Sequence, residues 1–289
     1  MSRVLVTGGS GQLGRAIDYV ARSSANSYVV VSHDEVDICD SWSISEAIER
    51  HNVDTIINCA AYTNVDGAED DEAGAVEING SAVAKLAEVC HDRGIHLIHI
   101  STDYLFGGDG ERRIPYTEED AIAPINTYGR SKAIGESRVV ELGGIVVRTS
   151  WLYAPWGKNF VRTILRLAEE HSELSVVDDQ QGSPTSALGL ARMLVTIVDG
   201  GAVAQMSGVY HYCDSGDTTW CGFATEILSQ AGITGCSVKA CSTAERGMRA
   251  KRPAYSVLDT RRIAQVEGVK IAPWQERLKE VITIIKESR

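Results

Sequence analysis

The feature that most constrains this chain is its first turn. Residues 4–6 are a short apolar run, read as a buried parallel strand. The run passes directly into Thr7-Gly8-Gly9-Ser10-Gly11-Gln12-Leu13-Gly14, and helical spacing follows at Leu13, Ile17, Val20 and Ala21. Gly8, Gly11 and Gly14 are spaced G-x-x-G-x-x-G. Glycine is needed where a backbone turns sharply and where it approaches a pyrophosphate. The exposed amides and the helix N-terminus then hold the negative charge. A glycine triplet alone also fits a mere tight turn. Its place between a strand and a helix is the context that favours a dinucleotide site. The expected contacts are Gly8, Ser10, Gly11, Gln12, Leu13 and Gly14.

The rhythm begun there continues. Strands are expected at residues 28–31, 55–57, 95–100 and 145–147. Asp40 or Ser41 can cap a helix carrying Ile44, Ala47 and Ile48. Further helices are expected over 77–93 and over 127–142, the latter ended by Gly143-Gly144. The expected fold is α/β: a Rossmann-type doubly wound parallel sheet, with a smaller α+β substrate-binding domain. Beyond about residue 150 the alternation loosens. Phe160, Ile164, Leu165 and Ala168 suggest a helix, residues 174–177 and 209–212 suggest strands, and Leu278, Val281, Ile282 and Ile285 line a terminal helix. Gly182-Ser183-Pro184 and Arg252-Pro253 mark loops. Residues 1–150, with a returning segment at about 187–230, are assigned to the dinucleotide-binding domain. Residues 151–186 and 231–289 are assigned to the substrate-binding region.

The 289 residues are 44% hydrophobic and 23% charged, ordinary for a globular protein, with a net charge of -11. That charge repels phosphate backbones, so no nucleic-acid partner is expected. The short basic cluster at 246–252 suits one diphosphate better than a duplex. The seven cysteines are odd in number and form no C-x-x-C pair, which reads as reduced thiols in a cytoplasmic protein. No leader is expected ahead of the first strand. No apolar run approaches the ~20 residues of a membrane span, so no membrane partner is expected.

The second strand ends Val31-Ser32-His33-Asp34. An NAD site usually has an acidic residue at that point, bonding the ribose 2′-hydroxyl. Ser32 carries no charge to repel a 2′-phosphate, His33 could help to bind one, and Asp34 falls in the turn beyond. NADPH is therefore expected, with NADH tolerated. Asp37 and Ile38 are counted with this cofactor segment, as are Ala60, Ala61, Tyr62 and Thr63 after the third strand and Ser101 at the end of the fourth.

Tyr128-Gly129-Arg130-Ser131-Lys132 is a Y-x-x-x-K pair, and positions i and i+4 share a helix face. The lysine would favour the ionised phenol. Bringing a tyrosine from ~10 to ~7 takes about 4 kcal/mol, with the lysine and the oxidised nicotinamide together as the sources. An exposed helix pair is the bland alternative. Against it, Asn58 through Tyr62, Ser101 through Tyr104 and the glycine loop all fall at strand ends on one edge of the sheet, where α/β proteins place ligands.

The run from Gly8 through Lys132 resembles the extended short-chain dehydrogenase/reductases. The blocks at residues 101–107, 148–153, 179–185 and 252–260 are similar to the dTDP-4-dehydrorhamnose reductase family, and the match covers nearly the whole chain. The resemblance implies NAD(P)H-dependent reduction of the C4 ketone of dTDP-4-dehydro-L-rhamnose, with Thr102, Tyr128 and Lys132 as the catalytic triad. It implies a nucleotide-sugar bordered by Thr102, Asp103, Tyr104, Trp151, Asn159, Phe160, Gln181 and Arg252. It leaves room for a homodimer. Some relatives dimerise through metal-bridged glutamates after the glycine loop, but Arg15-Ala16 stands there, and no metal is expected.

Two rivals stay open: a non-catalytic regulatory-subunit relative, and a reductase, epimerase or dehydratase acting on another nucleotide-sugar. A dehydratase would want a carboxylate pair beside Thr102, yet Asp103 is followed by Tyr104. His96 and His99, three apart on a strand, point to opposite faces and cannot easily share an ion. The acidic run 69–72 reads as a solvated helix face, and Trp220, Phe223 and Ile227 read as core.

Overall fold

A computed structural model describes residues 1–288. The first half alternates β1 (Arg3–Thr7), α1 (Gln12–Ala21), β2 (Ser27–Val30), α2 (Ser41–His51) and β3 (Thr55–Asn58). Two short helices, α3 (Val65–Ala68) and α4 (Glu72–Val76), lead through a π turn (Glu77–Ser81) into α5 (Ala82–Arg93). β4 (His96–Thr102), α6 (Thr127–Glu141) and β5 (Ile145–Thr149) complete the alternation.

The described residues form a six-stranded parallel sheet in the order β2-β1-β3-β4-β5-β10, where β10 is Gly208–His211. β3 and β5 are buried along their whole length, as strands covered on both faces must be. The strand order reverses between β1 and β3, and ligands in such sheets bind in the crevice at that switch point. One apolar layer joins Leu5, Ile56 and Val146 to the helical residues Ile44, Leu86 and Val139. On the other face α1 packs against α8 (Ala187–Asp199).

Between β5 and β10 the chain makes a long excursion. It carries β6 (Leu152–Tyr153), α7 (Phe160–Glu170), β7 (Glu173–Val177), β8 (Gln181–Gly182) and β9 (Thr185–Ser186). After β10 come β11 (Thr218–Thr219), α9 (Trp220–Ala231), β12 (Ser237–Cys241), α10 (Thr243–Arg246) and α11 (Trp274–Glu287). β6 pairs with β9, β7 with β12, and β8 with β11. α9 packs against α7, β7 and β12. Val4, Ile17 and Leu194 share one continuous core with Val176, Phe223 and Leu278, so the excursion and the sheet bury their apolar faces against each other.

Several local expectations change. The helix expected over 77–93 opens with the π turn, which turns Asn79 inward. The acidic run 69–72 is not a helix face but the junction of α3 and α4. There Asp71 caps α4 by accepting from Gly74 N at 3.0 Å, and Glu69 accepts from Thr127 N at 2.8 Å. Trp220 is half-buried rather than fully in the core, whereas Phe223 and Ile227 are 0% exposed. No helix among the described residues is long and apolar enough to cross a membrane.

Candidate active site

The glycine loop is built by close backbone packing. Gly8 has φ 71°, and a side chain there would meet Ala60 N and the Cys59 carbonyl carbon at 2.7 Å each. It is thus glycine that lets the loop after β1 lie against the loop after β3. Gly9 N donates to Val31 O at 2.8 Å, and Val31 N to Val6 O at 2.9 Å, fixing the loop to the end of β2. The first turn of α1 carries no acidic residue and no side-chain cap, and Ser10 and Gly11 are exposed before it. The Gly11 amide donates to Gly8 O at 3.0 Å, and the uncapped helix N-terminus behind it fits a dinucleotide's pyrophosphate. The Gln12 carbonyl is taken by Trp156 Nε1 at 3.1 Å.

The other cofactor candidates border the same crevice. Ser32 donates its hydroxyl to Glu35 at 2.9 Å, and its amide to the same oxygen at 2.8 Å. An acidic group therefore does stand at the end of β2, three residues after the expected place. His33 lies 3.6 Å from Asp37, whose carboxylate also accepts from Cys39 N at 2.8 Å, while Ile38 is core. Ala60, Ala61 and Tyr62 are half-buried and Thr63 is exposed. Asn79 bonds both Tyr62 N (2.9 Å) and Tyr62 O (3.0 Å), and reaches Ser131 Oγ at 3.0 Å, so it stitches that loop to α6. Ser101 Oγ is buried without a hydrogen-bond partner among the described residues.

α6 brings Tyr128 and Lys132 to β4. Asn126 caps it, accepting from Gly129 N at 2.7 Å. A side chain at Gly129 would sit 2.2 Å from Tyr104 O, so this glycine sets how closely α6 approaches the strand end. Tyr128 is half-buried, its phenol hydrogen-bonds Thr102, and its ring meets Tyr104 edge-on at 5.7 Å. Burial pushes the phenol up to about 12, against the lowering effect of Thr102. Lys132 is not among the groups that act on the phenol here; its Nζ lies against Ile100 O and His99. Thr102 donates to Asp103 Oδ1 at 3.2 Å and accepts from Tyr104 N at 3.2 Å. Burial raises Asp103 to about 7, against the lowering effect of hydrogen bonds from Ser256 and Thr102.

Lys132 is 1% exposed. Its Nζ donates to Ile100 O at 2.7 Å and lies 3.1 Å from His99 Nε2. Burial lowers it to about 8, against the raising effect of Glu136 and Cys59.

On the substrate side, Trp151 has φ 47°, a left-handed conformation that bulky residues seldom adopt. Its indole stacks on Trp220 at 3.6 Å, in space that a side chain at Gly182 would fill. Phe160 leans on Trp220 at 4.6 Å. Gln181 donates to Asp217 at 2.5 Å. Arg252 donates to Asp66 through both terminal nitrogens and hydrogen-bonds Tyr104. Asn159 is committed to its own turn: it donates to Ala154 O (2.9 Å) and Trp156 O (3.1 Å) and caps α7 by accepting from Arg162 N (3.1 Å). Its amide has no donor left over for a diphosphate.

The chain matches the family model described as "RmlD substrate binding domain" over residues 2–287. It is 40% identical to a dTDP-4-dehydrorhamnose reductase of Burkholderia thailandensis, with 94% of this chain and 95% of that protein covered. The chain belongs to the dTDP-4-dehydrorhamnose reductase family. It is also 37% identical to a dTDP-4-keto-6-deoxy-D-glucose reductase of Streptomyces niveus, over 98% of this chain and 97% of that one. The crystal structure of the Bacillus anthracis dTDP-4-dehydrorhamnose reductase, in complex with NADP, superposes with a TM-score of 0.89 at 35% identity, covering 98% of this chain and 99% of the other.

In this member of the dTDP-4-dehydrorhamnose reductase family, the site holds two residues the sequence did not single out, Asn79 and Asp66, and one, His99, that it weighed only as a metal ligand. His99, Asn79 and Asp66 all touch a candidate site residue. Asn79 had a legible signal, an amide in the interior of an apolar helix pattern, where it disfavours the helix unless it is bonded elsewhere. His99 had a weaker one, a polar residue amid the apolar run of β4. Asp66 had none.

Proposed function

We propose that this protein reduces the C4 ketone of dTDP-4-dehydro-L-rhamnose to dTDP-L-rhamnose, with NADPH preferred and NADH tolerated. The observation that carries the reading is the hydrogen bond of Tyr128 to Thr102 at the crevice edge, one helical turn from Lys132 and beside a glycine loop that leads into an uncapped helix N-terminus. The residues that would hold the cofactor are the loop from Gly8 to Gly14, Ser32 and His33 at the ribose end, Ala60 to Thr63, Ser101 and Lys132. When bound, reduced nicotinamide supplies the electrons of the reduction.

The chain's part is acid catalysis and orientation. A reduction needs an acid that still holds its proton, and Tyr128 at about 12 does so. An alkoxide is far more basic than a phenolate, so passing that proton to the new C4 oxygen is downhill. Thr102 Oγ can steady the same oxygen by turning its one proton to it from Asp103 Oδ1. Trp151 offers an aromatic face to the deoxysugar. Arg252 offers its guanidinium to the diphosphate, a group suited to bidentate contact. The reading includes a cytoplasmic location, with seven unbonded thiols among the described residues, and a homodimer, which sedimentation would test.

A second reading, reduction of another nucleotide 4-keto-6-deoxysugar, is favoured by the 37% identity to the dTDP-4-keto-6-deoxy-D-glucose reductase. The experiment follows loss of NADPH or NADH absorbance against a panel of nucleotide 4-keto sugars. Efficient turnover of dTDP-4-dehydrorhamnose supports the first reading. Indifference to it with turnover of another member supports the second. No oxidation with any member refutes both and favours a regulatory subunit.

A further inference from the structure

The bonds that hold Lys132 can be counted proton by proton. Asn58, at the end of β3, is 0% exposed. Its Oδ1 accepts from Thr7 Oγ1 at 2.7 Å and from the Ala60 backbone amide at 3.1 Å. A backbone N–H can only donate, so the oxygen of the Asn58 side chain must face Ala60 and the nitrogen must face away. That nitrogen, Nδ2, lies 3.0 Å from His99 Nδ1. It too can only donate, so Nδ1 is the acceptor and a neutral His99 carries its proton on Nε2. His99 is itself 0% exposed, and with Nδ1 accepting it carries one proton only, so the ring is neutral; burial, which holds it well below the ordinary histidine range, acts in the same sense.

Nε2–H therefore points at Lys132 Nζ, 3.1 Å away. An ammonium has three donors and no lone pair, and would set N–H against N–H across that contact. A neutral amine fits: its lone pair accepts from Nε2–H while one of its hydrogens goes to Ile100 O at 2.7 Å.

We infer that His99 is a positioning residue for Lys132, presenting a donor that selects the amine form of the buried lysine and ties its placement, through Asn58, to Thr7 at the root of the glycine loop. The groups around Lys132 leave that selection standing. From its own helix, Tyr128 is a neutral phenol and Glu136 favours the ammonium, but the Glu136 carboxylate is bound by Arg148 of β5. From the end of β3, burial keeps the Cys59 thiol protonated, up to about 12. From β4 come the His99 ring and the Ile100 carbonyl. Burial of the lysine itself acts in the same sense, toward about 8.

The inference rests on Lys132 being the lysine that serves Tyr128 and the cofactor ribose, and the test separates the two. The first measurement uses the unaltered chain without ligand. Nitrogen NMR of labelled histidine should find His99 as the Nε2–H tautomer through neutral pH. A protonated Nδ1 or an imidazolium there overturns the inference. The second follows the labelled Lys132 side chain through a pH titration, its signal assigned by its loss in Lys132→Met. It should titrate below the ordinary lysine range, and further down than burial alone would bring it. His99→Gln, whose oxygen can accept from an ammonium, should raise that titration by ~1 unit or more, a tenfold change in the equilibrium. His99→Leu, which removes the facing N–H but keeps the site dry, should raise it less. A lysine of ordinary pKa in the unaltered chain, or one unmoved in both variants, overturns the inference. If the titration moves in His99→Gln while the pH profile of turnover does not, the placement by His99 stands and the catalytic reading of Lys132 fails.

Discussion

Arg252 donates to both carboxylate oxygens of Asp66, at 3.1 and 2.8 Å, and so ties the loop after α10 to α3, across 186 residues of chain. The guanidinium also holds the Asp66 carboxyl below the usual range. The pair orients a cation beside Tyr104 before any diphosphate arrives. Arg252→Ala should raise KM for the nucleotide-sugar roughly tenfold or more with kcat less affected, the pattern of lost uniform binding. Asp66→Asn keeps the cation but loosens its aim, so steady-state kinetics should show a smaller rise in the same direction. A KM unchanged in Arg252→Ala would remove Arg252 from the substrate side.

Tyr128→Phe deletes the phenolic proton and keeps the ring against Tyr104. Turnover should fall by ~10²-fold or more, the usual scale for general acid work. Cofactor affinity, read by fluorescence titration, should stay within about twofold, since Lys132 and the loop are untouched. Near-normal turnover would sink the assignment of the acid.

Asp103 supplies a pH dependence of stability. Burial raises its folded pKa to about 7, above the unfolded carboxyl value. Its contribution is then fully present below the unfolded value and is lost as pH rises through about 7. Asp214, also raised to about 7 by burial, acts in the same sense, whereas the lowered His99 and His211 act in the opposite one. Comparing Asp103→Asn with the unaltered chain isolates the one group. The Tm difference, variant minus unaltered, should shift in the variant's favour by ~3 °C or more between about pH 5 and about pH 8. A difference that is constant with pH would contradict it.

Ser32 and Glu35 share the end of β2. Ser32→Asp places a second carboxylate there and should weaken NADPH at least ~10-fold more than NADH, by repulsion of the 2′-phosphate. Competition binding of the two cofactors reads this directly. An unchanged ratio would mean that the 2′-phosphate is held elsewhere.

What the sequence determined by itself was whatever lies within one element or one turn. The G-x-x-G-x-x-G spacing sets a loop between strand and helix. The i, i+4 spacing puts Tyr128 and Lys132 on one face. Short unbroken apolar runs mark the strands of the sheet half, which are covered on both faces, and the 3.6 period marks its helices, because burial on a regular element follows its geometry. The two-residue strands β6, β8, β9 and β11 left no such period to read.

Partners were decided only by the tertiary structure. Nothing near Arg252 in sequence points to Asp66, and nothing near Trp151 points to Trp220. Asn159 looked like a ligand donor until the turn 154–159 folded back and used its amide. The i, i+4 spacing did not show that Lys132 closes against His99 and Ile100. The physical reason is the same in each case. A side chain's charge and direction depend on burial and on donors and acceptors brought from distant elements, and those meet only when the sheet and the excursion close on one core.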